Sequence, residues 1–229
     1  MRKVCEIDQP YGLGDILLCE PIARHYHNLG YKILYWAKDE YIWIKDYIPY
    51  INFKKMSEGY VGKDTVVMTE DFIYLPLMRK AITPYEEWVN TGWLYDKYII
   101  SELDPLLWKT FTFVRNTKKE GELYNHLGLG NRDYILVNRH SSAGKRDLKI
   151  ESDYKIVDME YVEGYTMLDW YKVMMGAKEL HMVSTSTLMP AVHMNHKNIT
   201  IYRRVDGPDN FISIKSIFED YDLKYESPN

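Results

Sequence analysis

The chain has 229 residues, 46% of them hydrophobic, which is enough for one large domain or two small ones with real cores. No apolar run of about 18 residues occurs, so no transmembrane helix is expected, and Met1-Arg2-Lys3-Val4-Cys5 enters a strand-like segment without a signal-peptide pattern. The net charge of −4 excludes a uniformly basic nucleic-acid-binding surface, while leaving room for a local basic patch.

Val4 to Ile7 reads as a first strand, and Tyr11-Gly12-Leu13-Gly14 as a tight glycine turn. A helix is expected over Asp15 to Asn28, because Ile16, Leu17, Ile22, Ala23 and Tyr26 recur near helical spacing; Pro21 kinks it and Gly30 stops it. Lys32 to Ala37 is a second strand, Glu40 to Tyr47 a short helix, and Asn52 to Met56 and Thr65 to Thr69 shorter strands. Phe72 to Phe113, with Pro76, Pro84 and Pro105, reads as helices and loops. The polar run Arg115 to Gly121 is the linker candidate, which divides the chain into domains at 1–120 and 121–229.

Beyond it, Tyr134 to Asn138 is a buried strand, followed by a polar loop from Arg139 to Arg146. Tyr154 to Met159 is another strand. Thr166-Met167-Leu168-Asp169 has the form of a capping box, opening a helix through Met175 that Gly176 closes. Glu179 to Val183 is a strand, Ser184-Thr185-Ser186-Thr187 a hydroxyl-rich turn, and Leu188 to about Met194 a helix. Asn198 to Tyr202 reads as the last strand and Phe211 to Asp220 as a terminal helix. Alternating strands and helices predict an α/β fold with parallel sheets.

Composition narrows the chemistry. The two cysteines, Cys5 and Cys19, fall in buried elements, which fits a reducing cytoplasm and not a disulfide framework. The seven histidines have no zinc-ligand spacing; His25 and His27 face different sides of a helix. No metal is expected. The 21 tyrosines and 6 tryptophans read first as amphipathic packing and second as sugar- or base-stacking rings. Low Ala with high Tyr, Ile and Lys points to an AT-rich genome of the viral kind.

Three constellations stand at strand ends. At Gly12-Leu13-Gly14-Asp15 the glycines let the backbone turn and approach a ligand, and Asp15 opens a helix at a sheet edge. It is either a helix cap or a general base. The spacing is not the dinucleotide fingerprint, and no P-loop lysine follows. The loop from Asn138 to Lys149 carries Arg139, His140, Lys145, Arg146 and Lys149, either a solvated basic loop or cations for a diphosphate. Nucleic-acid phosphate contact is the alternative use of the same loop, to which Arg203 and Arg204 add charge. Ser184, Thr185, Ser186 and Thr187 precede a helix with Pro190 in its first turns, either an ordinary cap or an anion site made of amides and hydroxyls. Facing one cleft, the acid, the basic loop and the anion site would suit an inverting sugar transfer.

The segment Gly14-Asp15-Ile16-Leu17-Leu18-Cys19-Glu20-Pro21, with its helix ending in Leu29-Gly30, resembles the opening motif of the bacterial heptosyltransferase-like glycosyltransferases. Val137-Asn138-Arg139-His140-Ser141-Ser142 with Lys145-Arg146 resembles their His-Pro-Gly to Lys-Arg loop, and Trp170 to Val192 their closing signature. The resemblance implies a GT-B fold, two Rossmann-like domains facing a cleft, with the acceptor side N-terminal and the nucleotide sugar C-terminal. It implies Asp15 as catalytic base and Lys145 on the donor phosphates. Gly14, Asn138, Arg139, Ser141, Arg146, Ser184, Thr185, Ser186, Thr187 and Leu188 complete the donor site, and Glu163, after a strand, stands where such folds hold the ribose.

The chain departs from that pattern. Ser186 replaces an aspartate, Leu188 a glycine, Ala191 a histidine and Asn138 the first loop histidine. The diphosphate site is therefore expected to carry over better than a heptose site. The expected activity is a metal-independent, inverting transfer from a nucleoside-diphosphate sugar, which is a substrate and not a cofactor. Acceptor expectations are a hydroxymethylated base in phage DNA, with pentose donors such as UDP-arabinose, or a surface glycan. The rival readings are a non-catalytic nucleotide-sugar-binding module and another Rossmann-type nucleotide enzyme.

Overall fold

The computed structural model describes residues 3–78, 93–130, 132–142, 144–204, 218, 220–221 and 223–226. The chain divides into two compact units, Met1–Val114 and Arg115–Asn229. Among the described residues, each unit is built on its own five-stranded sheet.

In the first unit, β1 (Val4–Asp8), β2 (Lys32–Ala37), β3 (Ile51–Lys55), β4 (Val67–Met68) and β5 (Phe72–Leu75) stand in the order β3-β2-β1-β5-β4. All the pairings are parallel except that of β4 with β5. β1 is central. Its Cys5 pairs with Ile33 and Ile73, and its Ile7 with Tyr35 and Leu75, all buried. Inward-facing residues at period two on neighbouring strands make one continuous apolar layer.

The helix expected over Asp15 to Asn28 is two helices, α1 (Leu13–Leu18) and α2 (Glu20–Asn28), with Cys19 between them. Pro21 has no N–H to give to Leu17, so it is tolerated only in the first turn of a new helix, where it sits. Gly30, at φ +88°, ends α2 with its N–H on the His27 carbonyl. The short helix expected from Glu40 to Tyr47 is a 3-10 segment, Asp39–Asp46, tightened by bonds from Tyr41 to Lys38 and from Tyr47 to Ile44. β5 corrects the expectation of only helices and loops after Phe72. Its partner β1 lies far away in sequence, so local pattern did not announce it. A later helix of this unit, α3 (Trp93–Ile100), is tied down by tyrosines. Tyr98 donates to the Leu18 carbonyl at 2.5 Å, and Tyr26 donates to the Ser101 carbonyl at 2.8 Å.

The second unit contains β6 (Tyr134–Asn138), β7 (His140–Ser141), β8 (Gly144–Lys145), β9 (Lys155–Asp158), β10 (Glu179–Val183), β11 (Ile199–Tyr202) and β12 (Leu223–Glu226). Its main sheet has the order β12-β11-β10-β6-β9, with every pairing parallel. β6 is buried along its whole length, as befits a strand covered on both faces. Among the described residues, three α-helices accompany the sheet: α4 (Thr117–His126), α5 (Tyr171–Gly176) and α6 (Leu188–His193). The limits of β6 and β10 are the expected ones.

The Thr166–Asp169 capping box forms, with the Thr166 N–H on Asp169 Oδ2 at 2.7 Å. Gly176 ends α5 beside Tyr134, whose hydroxyl donates to Val173; a Cβ there would lie 2.7 Å from that hydroxyl. Two expectations are corrected. Most of Arg115 to Gly121 is the first part of α4, because the Asn116 side chain accepts from the Lys119 N–H and Arg115 pairs with the buried Glu120, so the polar run is a capped helix start. β12 follows β11, so Asn198 to Tyr202 is not the last strand. The terminal helix expected over Phe211 to Asp220 lies, apart from Phe218 and Asp220, outside the described residues. No described helix is long and apolar enough to cross a membrane.

Glu20 gives the first unit a pH dependence. Its carboxylate is fully buried and accepts from Tyr50 Oη at 2.6 Å and the Thr112 N–H at 2.9 Å, with Arg24 Nε at 3.3 Å. Burial raises its pKa above the ordinary 4.5 despite those partners. A raised folded-state pKa means the native chain holds this proton more tightly than the unfolded one. The resulting stability is complete below about 4.5 and is lost as pH rises through the folded value. Glu20→Gln removes that dependence. The urea midpoint of wild type minus that of Glu20→Gln is therefore expected to fall as pH is raised from about 4.5 to 7.

Candidate functional site

Where parallel strands carry the chain outward in one direction and then resume on the other side, neighbouring connections diverge and leave a crevice at the carboxyl edge. In the first unit that reversal lies between β1 and β5. Asp8 ends β1, and Gln9, Pro10, Tyr11 and Gly12 lead into α1. Gly12 stands at φ +83°, where an L side chain is strained, and a Cβ there would collide with Asp15 Oδ2. The glycine turn therefore folds directly against the carboxylate. Gly14 lies partly exposed in the first turn of α1 beside it.

Asp15 keeps 29% of its side chain exposed, with Lys97 Nζ 3.6 Å from its Oδ1. Lys97, on α3, is itself buried. It donates to Gln9 Oε1 at 2.7 Å and to the Leu77 carbonyl at 3.2 Å, thereby joining the connections that leave β1 and β5. Sequence reasoning missed Lys97 and Gln9, because only tertiary folding brings them to Asp15. It also missed Asp8, a fully buried carboxylate that accepts from Tyr60 at 2.5 Å and from Tyr74 at 2.7 Å. Asp8 anchors the end of β1. The Cys19 thiol, buried behind Asp15, is pushed up to about 12 by desolvation, so it is held as a thiol and not as a nucleophilic thiolate.

In the second unit the reversal lies between β6 and β10. Asn138 ends β6, buried, and its Nδ2 donates to Thr187 Oγ1 in the turn after β10 at 2.8 Å. The same side chain grips His140, donating to its carbonyl and accepting from its N–H, both at 3.2 Å. Two expected binding segments are thus bonded across the crevice. Thr187 stands at the N-cap of α6 without a side-chain cap bond, so its hydroxyl serves Asn138 and is not an ordinary cap. Ser184 is buried, Thr185 and Ser186 are partly exposed, and Leu188 is buried with its N–H on the Thr185 carbonyl.

The basic loop is a hairpin, β7 against β8, pairing His140 with Lys145 and Ser141 with Gly144. That register brings both side chains onto one carboxylate. Lys145 Nζ lies 2.8 Å from Glu160 Oε1, and His140 Nε2 lies 2.7 Å from Glu160 Oε2. The Lys145 hydrogen bond, followed by His140, lowers the Glu160 pKa below 4.5. Ser141 Oγ donates to the Gly144 carbonyl at 3.2 Å. Arg139 is bound to Asp158 at 2.7 Å and to the Leu148 carbonyl, making it an anchor of the loop. Arg146 is partly exposed, and its N–H bonds to the Arg139 carbonyl. Glu163 is exposed in the turn that Tyr165 closes onto the Val162 carbonyl, with Gly164 at φ +84°. None of the contacts given above joins Glu163 to the hairpin or to Thr187. Glu160 was not foreseen, although its signal is in the sequence. Buried Val157 and Met159 alternate with Asp158 and Glu160, the two carboxylates that hold the loop cations.

No protein-family model matches the chain, and no curated protein matches it in sequence. Solved structures do match. A glycosyl transferase family 9 protein from Veillonella parvula DSM 2008 superposes with a TM-score of 0.58 at 11% identity, over 99% of this chain and 87% of that one. The iron-containing dodecameric glycosyltransferase TibC from enterotoxigenic E. coli H10407 gives 0.53 at 12% identity. A TibC heptosyltransferase complex with ADP-D-beta-D-heptose gives 0.53 at 13%. The chain spans 58% of the TibC length, with 88% of its own residues aligned. The protein thus has an α/β fold of the GT-B glycosyltransferase type, with a Rossmann-like sheet in each unit.

The geometry gives two expectations. Gly12→Ala costs stability, by about 1–3 kcal/mol for the backbone conformation alone, and displaces Asp15; urea unfolding measures the first and a crystal structure the second. In the second unit, Asn138→Ala removes the donor to a buried hydroxyl and costs roughly 1–3 kcal/mol. Thr187→Val removes the other end of the same bond, so the double variant is less destabilised than the sum of the two singles.

Proposed function

We propose that this protein is a glycosyltransferase that moves a sugar from a nucleoside-diphosphate sugar to an acceptor hydroxyl with inversion. The observation that carries the reading is Asp15, a partly exposed carboxylate held against Gly12 and Lys97 at the carboxyl-edge crevice of a GT-B-type fold. In this reading the Asp15 carboxylate takes the acceptor hydroxyl proton. The resulting oxygen forms a bond to the anomeric carbon, and the bond from that carbon to the diphosphate breaks with its electron pair on the leaving oxygen. A base on the acceptor side and attack opposite the leaving group give inversion.

The donor is assigned to the second unit. Lys145, with His140 beside it, supplies positive charge for the diphosphate without requiring a metal. The turn from Ser184 to Thr187, tied to Asn138, supplies hydroxyls and amides to the phosphate oxygens. Ser141, Arg146 and the Leu188 backbone border these groups in sequence, Gly14 borders Asp15, and Arg139 keeps the loop in place. Glu163 is assigned to the ribose hydroxyls. ADP-heptose is the ligand of the TibC complex. For this chain, where Ser186 and Leu188 replace the family's aspartate and glycine, we assign a different sugar.

A thermal-shift screen across nucleoside-diphosphate sugars identifies the donor, and transfer is then assayed on surface glycan and on hydroxymethylated DNA. Asp15→Asn is expected to lower transfer by roughly 10²–10⁴-fold, with donor affinity by calorimetry within about twofold of wild type. Undiminished transfer would remove Asp15 as the base. Lys145→Ala is expected to weaken binding of the matching nucleoside diphosphate about tenfold or more, the weight of one charge-assisted bond.

A further inference from the structure

We propose that Lys97 is a positioning residue for Asp15, holding its carboxylate ionised and fixed at the crevice of the first unit. This rests on the assignment of Asp15 as base. Lys97 is 7% exposed in its side chain, and a buried ammonium needs both hydrogen-bond acceptors and a counter-charge. Its two short bonds go to uncharged oxygens, Gln9 Oε1 and the Leu77 carbonyl. Asp15 supplies a counter-charge at 3.6 Å.

The arrangement links the parts that a base must have in register. Gln9 receives the ammonium on one side of its amide and donates from the other to the Tyr11 carbonyl at 2.9 Å, bracing the turn that ends in Gly12. The Leu77 carbonyl carries the same ammonium to the connection that leaves β5. One cation therefore sits on both banks of the reversal between β1 and β5, facing the one carboxylate proposed to do chemistry there.

Among the described residues, three ionisable groups beside the pair are neutral or committed elsewhere. The Cys19 thiol, between α1 and α2, is held protonated by burial. The Tyr35 hydroxyl on β2, which feels both Asp15 and Cys19, is driven up by burial. Asp8, at the end of β1, is engaged by Tyr60 and Tyr74. A nearby ammonium favours the charged form of a carboxylate. Lys97 thus keeps Asp15 ionised into acid while limiting its basicity, and it prevents the carboxylate from swinging.

The test is a pH titration of the Asp15 carboxyl carbon by NMR in aspartate-labelled protein, with the signal assigned by its loss in Asp15→Asn. In wild type it is expected to titrate below the ordinary value of about 3.9 or to stay ionised wherever the protein is folded. In Lys97→Met the midpoint rises by about one unit or more, a tenfold change in proton affinity, and Lys97→Arg keeps it low. The acid limb of kcat moves up by the same amount in Lys97→Met, with KM for the donor unchanged. A merely structural lysine would lower activity equally at every pH. Superimposable titrations of wild type and Lys97→Met overturn the proposal. So does a wild-type midpoint at or above about 3.9, a measurement that does not depend on the folding of Lys97→Met. If the titration shifts as expected while wild type transfers no sugar, the coupling stands and the transferase reading falls.

Discussion

Both halves of this protein depend on the same constraint of parallel sheets. A strand that runs parallel to its neighbour must deliver its chain to the same edge, so every connection that leaves a strand crowds one rim of the sheet. Crowding is relieved at one place, where the strand order reverses and adjacent connections turn away from each other. The protein spans that gap with polar side chains in each unit. Lys97 joins the ends of β1 and β5, and Asn138 joins the end of β6 to the turn after β10. Because each bridging group is buried, each is costly unless its partners are in place, and this fixes the loops around it.

The tyrosines carry much of the remaining architecture. Tyr26, Tyr98 and Tyr134 bury their rings and spend their hydroxyls on main-chain carbonyls that helices or turns leave open. Tyr60 and Tyr74 do the same for the buried carboxylate of Asp8. The high tyrosine content therefore has a structural use, a ring for the core with a donor at its tip.

How much of this could be read in advance follows from the range of the forces involved. β6 is an apolar run ended by Asn138, and β10 sets buried Leu180, Met182 and Val183 against polar Glu179 and His181; the limits of both come out as expected. The Thr166–Asp169 cap is a local code and is also legible. β5 and β12 are four residues each, and distant partners select them; Leu223 to Glu226 alternates as an edge strand should, but so short a run is indistinguishable from a coil. The helix over Asp15 to Asn28 was legible in its apolar face and wrong in its continuity, since Pro21 starts a new helix. At the sites, the residues within one motif were found and their partners were not. Asp15 has a glycine turn to mark it, whereas Lys97 and Glu160 acquire meaning only through the fold.

The two thiols offer a practical handle of another kind. Cys5 lies in the centre of β1 and Cys19 at the joint between α1 and α2, both fully buried and both with thiols pushed up to about 12 by desolvation. Neither is reactive while its surroundings are closed, so alkylation runs only through openings of the chain. Cys19 counts the partings of the joint behind Asp15, and Cys5 the rarer events that take the central strand out of its sheet. With each cysteine replaced in turn, a single alkylating reagent becomes two clocks, one timing the loosening of the crevice and the other the dissolution of the whole unit.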